Sequence, residues 1–351
     1  MGKRDTSMTI DDVIKKRRIL ITSGTGGVGK TTLSSALAIR SAEIGYRTLV
    51  ITVDPAKRLA TSLGVEKLGD APTDLTPMIC EKLPALKGTL HAIIPDTRAT
   101  FESFIRSLSP NPQSADRIVS NPIFSVISRE FSGANEFMAL QRLSALERDS
   151  QWERIVLDTP PNRNTLALLN SSQVLADFFE EKLFQWLITP THKLLSGGLN
   201  KALGLLEKLT GEGFMVDLVE LARGIVEIQP RIAERLRAVH TLFQSDDLGF
   251  LMVAGPTPET QGELRHLIET LNARKYAFDG LILNRTLSYF SAPPEGPTWD
   301  LLRALQARER AVIKTLEPLI GRDRVFMRLP ELVRDIHSIG DLVHVSRTWS
   351  A

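Results

Sequence analysis

Between Ser23 and Thr32 the chain reads SGTGGVGKTT, four glycines and a lysine in ten residues. Gly24, four further residues and then Gly29-Lys30-Thr31 have the spacing of a phosphate-binding loop. Glycines let backbone N–H groups turn toward an oxyanion, and a following helix adds the positive end of its dipole. On that reading Gly26, Gly27, Val28, Gly29 and Thr32 form a nucleotide cradle. Lys30 reaches the β- and γ-phosphates, and the Thr31 hydroxyl coordinates Mg²⁺.

A cation on a phosphate calls for a carboxylate at the end of a neighbouring strand. RIVLDTPP supplies one: Ile155 to Leu157 are apolar, Asp158 falls at the C-terminal edge, and Pro160-Pro161 stop the strand. Asp158 is therefore expected to hold the metal through its water shell. Asp54 ends the run TLVITV; it either orients the attacking water for hydrolysis or caps a helix over AKRLATSL. Guanine-specific loops pair with an Asn/Thr-Lys-x-Asp motif, and the Asn200-Lys201 pair lacks its aspartate. Asn284, after GLIL, either presents its amide to adenine or is a turn residue. The expected ligands are ATP and Mg²⁺.

Positioning these residues requires strands that end at one edge of a sheet. Short apolar runs recur at RILITS (18), TLVITV (48), HAIIP (91), RIVLD (154), FLMVAG (250), GLILN (280) and RVFMRLP (324). Runs apolar on both faces suit a mainly parallel sheet, and their alternation with helical stretches predicts an α/β, doubly wound fold. The loop falls between the first run and a helix stopping near Gly45, a βαβ unit. Two intervals break the alternation and read as helical elaborations, about 97–148 and 165–243. The first holds TRATFESFIRSL and SGANEFMALQRLSAL around a turn at SPNPQS. The chain is accordingly expected to be one P-loop domain over 18–351, preceded by a basic tail at 1–17. Within that tail Thr9 and Asp12 have capping-box spacing, which predicts a short helix over Ile10–Lys16.

Composition narrows the function classes. Of 351 residues, 42% are hydrophobic and 24% charged, with 43 basic against 41 acidic side chains and a formal charge of +2. That balance gives no electrostatic pull toward nucleic acid, and no nucleic-acid partner is expected. No run approaches the ~18 apolar residues of a membrane span. The single cysteine, Cys80, fits a reducing compartment, and a cytoplasmic location is expected.

Four stretches converge on one family: GTGGVGKTT, DPAKRLATSLG, DTPPNRNTLALL and LILNRTL. Together with PDTRATF they resemble the ATPases that include the arsenical-pump ATPase ArsA and the guided-entry factors for tail-anchored membrane proteins, relatives of MinD and ParA. The resemblance runs from about Arg18 to Leu332. It implies a nucleotide-gated dimer, a homodimer or a heterodimer with a related ATPase, whose two ATP sites face each other. It also implies that Asp54 orients water, that Asn284 reads adenine, and that Asp54 and Asp158–Thr165 begin two nucleotide-sensing switches. A positioning ATPase like MinD or ParA is the alternative.

The chain departs from that family in three places. The family loop reads Gly-Lys-Gly-Gly-Val-Gly-Lys-Thr and sends its first lysine into the partner's site; here that residue is Thr25. A hydroxyl cannot stand in for an ammonium against developing phosphoryl charge. The protein then hydrolyses slowly, takes the charge from Lys57, Arg58 or Arg163, or acts as the weakly hydrolytic partner of a lysine-bearing paralogue. No Cys-x-x-Cys is present for a thiolate zinc clamp, and Cys80 alone cannot build a soft arsenite site within one chain.

The second helical interval is rich in large apolar residues, among them Phe178, Trp186 and Phe214. GFMVDLVELARGIVEI is apolar around more than half its circumference. Such helices either pack on one another and the sheet or form a groove for a hydrophobic or membrane-protein client.

Overall fold

Thr9 opens the first helix, α1 (Ile10–Lys16). Its hydroxyl accepts the Asp12 N–H while the Asp12 carboxylate accepts the Thr9 N–H, a reciprocal capping box. The other end of α1 is closed by Arg154, whose guanidinium lies 3.7 Å from the centre of the Tyr46 ring and donates to the carbonyls of Ile14 and Lys15. Ile10, Val13 and Ile14 are buried. Through these three residues α1 joins the core, while Thr9, Asp12, Lys15 and Lys16 are exposed. The apolar residues lie on one helical stripe between the acidic pair Asp11-Asp12 and the basic pair Lys15-Lys16.

The computed structural model describes residues 8–52, 60, 65, 68–130, 134–159, 213–287, 296–332, 336 and 338–349. After α1 come β1 (Ile19–Ser23), α2 (Lys30–Ile44), β2 (Arg47–Thr52), β3 (Thr73–Asp74), α3 (Thr76–Cys80) and β4 (Thr89–Ile93). Four helices follow: α4 (Thr97–Leu108), α5 (Pro112–Val119), α6 (Pro122–Glu130) and α7 (Ala134–Arg148). Then come β5 (Arg154–Asp158), α8 (Phe214–Gln244), β6 (Leu248–Ala254), α9 (Glu259–Ala273), β7 (Phe278–Thr286), α10 (Pro297–Ile320), β8 (Val325–Pro330) and α11 (Ile339–Thr348).

Contacts divide the chain into two compact units. The first comprises Met1–Pro95, Leu143–Leu168 and Thr241–Ala351; the second comprises Asp96–Arg142 and Leu169–His240. The first unit holds one eight-stranded sheet in the order β3-β4-β2-β5-β1-β6-β7-β8. Every pairing is parallel except β3 with β4. All seven apolar runs become strands, and the sheet is the mainly parallel α/β sheet of a P-loop nucleotide-binding fold. Leu20, Val50, Val156, Leu251 and Ile282 face a core shared with Val13 of α1, Leu33 and Leu37 of α2, Ile79 of α3 and Leu342 of α11. Ile19, Ile21, Leu49, Ile51, Ile155 and Leu157, at the alternate positions, are buried too. Burial on both faces is why these strands read as continuous apolar runs.

At the N-terminal end of the strands a charged pair is sealed inside the unit. Arg17 and Asp279 are 5% and 3% exposed, and Arg17 Nε and Nη2 each reach a carboxylate oxygen at 2.9 Å. Gly249 lies directly beneath: a Cβ there would come within 1.7 Å of Asp279 Oδ2.

The second unit packs Phe101, Phe104 and Ile105 of α4, Ile118 of α5 and Phe124 of α6 against Leu221, Ile225, Ile228 and Ile232 of α8. Where the sequence suggested a turn at SPNPQS, a further helix begins. The Asn111 side chain accepts the Ser114 N–H and Pro112 occupies the first turn of α5. Asn121-Pro122 repeats the device for α6, with Asn121 Oδ1 accepting the Ile123 N–H. An Asn-Pro pair marks a turn or a helix start equally well, and here both start helices. Among the described residues no helix is long and apolar enough to cross a membrane.

Candidate functional site

β1 delivers the chain to the loop at Ser23, and the loop then crowds its neighbours. Gly24 has φ +148°, and a Cβ there would sit 2.0 Å from the Val253 carbonyl oxygen of β6. Gly29, with φ +89°, precedes α2, and a Cβ on it would lie 2.5 Å from Asn284 Nδ2. These two glycines are required by close approach as well as by backbone conformation. Gly26 and Gly27 are exposed at the crest, and Val28 and Thr32 are half-buried. Gly29 offers no side-chain cap to α2, and the first turn contains no acidic residue. The helix's own first turn therefore leaves its backbone N–H groups and dipole without an acidic side chain or cap, a setting that favours a bound oxyanion.

Lys30 arches back over this loop. Its Nζ donates to the Gly24 and Thr25 carbonyls, each at 2.8 Å, and the residue is largely buried. Asn284 lies inside β7 rather than at its end, and its Nδ2 donates to the Val28 carbonyl at 2.9 Å. Arg285 follows with φ +63°, where the pairing of β7 with β8 shifts register between Leu283 and Thr286.

Asp158 ends β5, which lies between β1 and β2, and is 0% exposed. The register aligns Thr22, Asp158 and Thr52 in one row across the three strands. Asp158 Oδ2 accepts from the Thr31 hydroxyl at 2.8 Å and the Thr52 hydroxyl at 3.0 Å, while Oδ1 accepts from Ser34 at 3.1 Å. Thr22 Oγ1 is 2.7 Å from Ser34 Oγ. Thr159 donates to the Thr22 carbonyl at 2.7 Å and so ties the exit of β5 to β1. Burial pushes the Asp158 carboxyl up to about 6, against the opposing pull of the Thr31, Thr52 and Ser34 hydroxyls and of Lys30.

Thr31 and Asp158 present only oxygen ligands, which suits a hard cation such as Mg²⁺. Among the described residues no group of three or more His, Cys, Asp or Glu side chains could hold a metal by itself.

The loop residues, Lys30, Thr31, Asp158 and Asn284 are thus gathered at the C-terminal end of the parallel strands. Phe214 is half-buried at the start of α8, and Val216 two residues on is 60% exposed. Asp54, Lys57, Arg58, Arg163, Phe178 and Trp186 lie outside the described residues. The sequence reading missed Thr22, Ser34 and Thr52. Their signal was present: each strand of the row turns polar at its C-terminal end, and Ser34 lies three residues beyond Thr31 on the same helix face.

Relatives bear on this arrangement. A protein of Aquifex aeolicus named "Putative arsenical pump-driving ATPase 2" is 26% identical over 310 residues, 86% of this chain and 88% of its own. "ATPase get3" of Aspergillus terreus is 25% identical over 328 residues, 92% of this chain and 87% of its own. "ATPase ARSA1" of Chlamydomonas reinhardtii is 26% identical over 291 residues, and this chain spans only 35% of its length. The family described as Anion-transporting ATPase matches residues 17–348, from the buried Arg17 to the last residue of α11. A lysine curled over a glycine loop, with a hydroxyl bonded to a buried carboxylate beside it, is thus the loop of an ATPase, and this chain belongs to the ArsA, or anion-transporting, ATPase family.

Proposed function

We propose that the chain is a Mg²⁺-dependent ATPase that works as a dimer and couples its nucleotide state to a hydrophobic protein client in the cytoplasm. The observation that carries the nucleotide half is the Thr31–Asp158 contact beside a lysine folded over its own loop. Residues Gly26 to Thr32 bind the phosphates through backbone N–H groups, and Lys30 exchanges loop carbonyls for phosphate oxygens. Thr31 and Asp158 hold the cation, Asp158 through water. The cation held there would supply positive charge against the negative charge that develops on the phosphoryl group. Asp54 accepts a hydrogen bond from the attacking water and orients it. With Asn284 Nδ2 engaged with Val28, its Oδ1 is the atom left to accept from the exocyclic amine of adenine.

The client half rests on the family resemblance and on the apolar content of the second helical interval, with Phe178, Trp186 and Phe214 as candidate contacts. Arsenite is disfavoured as a ligand by the single cysteine. Thr25 favours a second reading, a slow enzyme that borrows its missing charge from a lysine-bearing paralogue in a heterodimer. One experiment tests the core: Asp54→Asn should retain ATP binding and lose turnover, with mass in solution measured in the same Mg·ATP buffer. Unchanged turnover removes Asp54 from the chemistry, and a monomer in Mg·ATP removes the dimer.

A further inference from the structure

Three hydroxyls converge on Asp158, and they are not equivalent. Thr31 is the residue expected to spend its oxygen on a cation. Ser34 has a single proton and three neighbours within reach: the Lys30 carbonyl at 2.8 Å, Asp158 Oδ1 at 3.1 Å and Thr22 Oγ1 at 2.7 Å. Its grip on the carboxylate is therefore shared. Thr52 differs from both in its place: it lies on the strand next to Asp158, paired with it in register, and its buried β-branched side chain is restricted in χ1.

We propose that Thr52 is the positioning residue that fixes the Asp158 carboxylate for a nucleotide-bound cation; this rests on the Mg·ATP reading above. Thr52 Oγ1 holds Oδ2, the same oxygen that meets the Thr31 hydroxyl, so one carboxylate oxygen is held from two elements, α2 and β2. Thr52 is also the last residue of β2, two residues before Asp54. It makes one mechanical link between the strand that leads to the water-orienting aspartate and the carboxylate that serves the metal. A buried carboxylate oxygen that loses a donor reorients toward the donors that remain, here Thr31 and Ser34, and away from the geometry a cation's water shell needs.

The test is ADP binding by calorimetry, with Mg²⁺ and with EDTA, for the wild type, Thr52→Val and Thr52→Ser. Valine keeps the shape and burial of the side chain; serine keeps the hydroxyl. Thr52→Val should bind ADP in EDTA within about twofold of the wild type but lose about tenfold of the tightening that Mg²⁺ confers, and Thr52→Ser should retain that tightening. If Thr52→Val keeps the full Mg²⁺ effect, or weakens ADP binding equally with and without the cation, the positioning role is overturned while the Mg·ATP reading stands. If the wild type itself shows no Mg²⁺ effect, both are overturned.

Discussion

Asp279→Asn should unfold the first unit's stability reserve without touching its site. The Arg17–Asp279 pair has two N–O contacts of 2.9 Å and is nearly inaccessible to water. Asparagine preserves the shape but turns one acceptor into an NH₂ group facing a guanidinium N–H and leaves the buried Arg17 with only the Asp246 carbonyl and the exposed Asp246 carboxylate, 3.9 Å away, against its charge. Breaking a buried pair from one side costs about 3–5 kcal/mol. For a unit of this size each kcal/mol corresponds to about 2–4 °C, so the midpoint of thermal unfolding should fall by about 6–20 °C. Distance alone would not predict this. Arg303 and Asp300 approach to 3.0 Å on the surface of α10, and Asp300→Asn should cost less than about 1 kcal/mol. The assay is circular dichroism on heating, with ADP affinity measured at 20 °C as a second readout of about the same precision. A fall under about 2 °C for Asp279→Asn, or one matching Asp300→Asn, refutes the assignment of the pair as an anchor. Weakened ADP binding in the folded variant refutes the separation of the two ends of the sheet.

Three further outcomes follow from local geometry. Gly29→Ala meets both the left-handed backbone and Asn284 Nδ2, so ADP binding should weaken by about tenfold or more; an unchanged affinity would show that the loop tolerates a shifted Asn284. Arg285→Gly relieves a left-handed non-glycine residue and should leave the chemical-denaturation midpoint unchanged or raise stability by up to about 1 kcal/mol, whereas a loss would mean that the Arg285 side chain contributes more than its backbone costs. The Thr9 hydroxyl and N–H hold the Asp12 carboxyl below its ordinary range. The cap's contribution is thus complete above the ordinary aspartate value and is lost as pH falls through the lowered one. The stability gap between wild type and Asp12→Ala should therefore close in acid, and a gap independent of pH would exclude the capping box as its source.

Much of the architecture could be read from residue order because the physics is local. Seven strands are continuous apolar runs, and a glycine loop between a strand and a helix has few alternatives. β3 escaped because two residues have no period. α5 and α6 escaped because Asn111-Pro112 and Asn121-Pro122 make the same local signal as a turn until the following apolar face finds a core. The site was legible in its parts and illegible in its joints. That Asn284 would bond to Val28, 256 positions earlier, or Arg17 to Asp279, 262 positions later, depends on strand order, which no short motif encodes. The hydroxyl row of Thr22 and Thr52 depends on register in the same way.

Both margins of the sheet are poorly suited to recruiting another chain. On one side the last strand, β3, is two residues long and runs against its neighbour. On the other, β8 ends in Pro330, exposes Arg328 and pairs irregularly with β7. A second copy would find no clean row of backbone donors and acceptors to extend. If the proposed dimer forms, side-chain surfaces rather than a shared sheet would join the two copies, and such a surface can be remade each time the nucleotide changes.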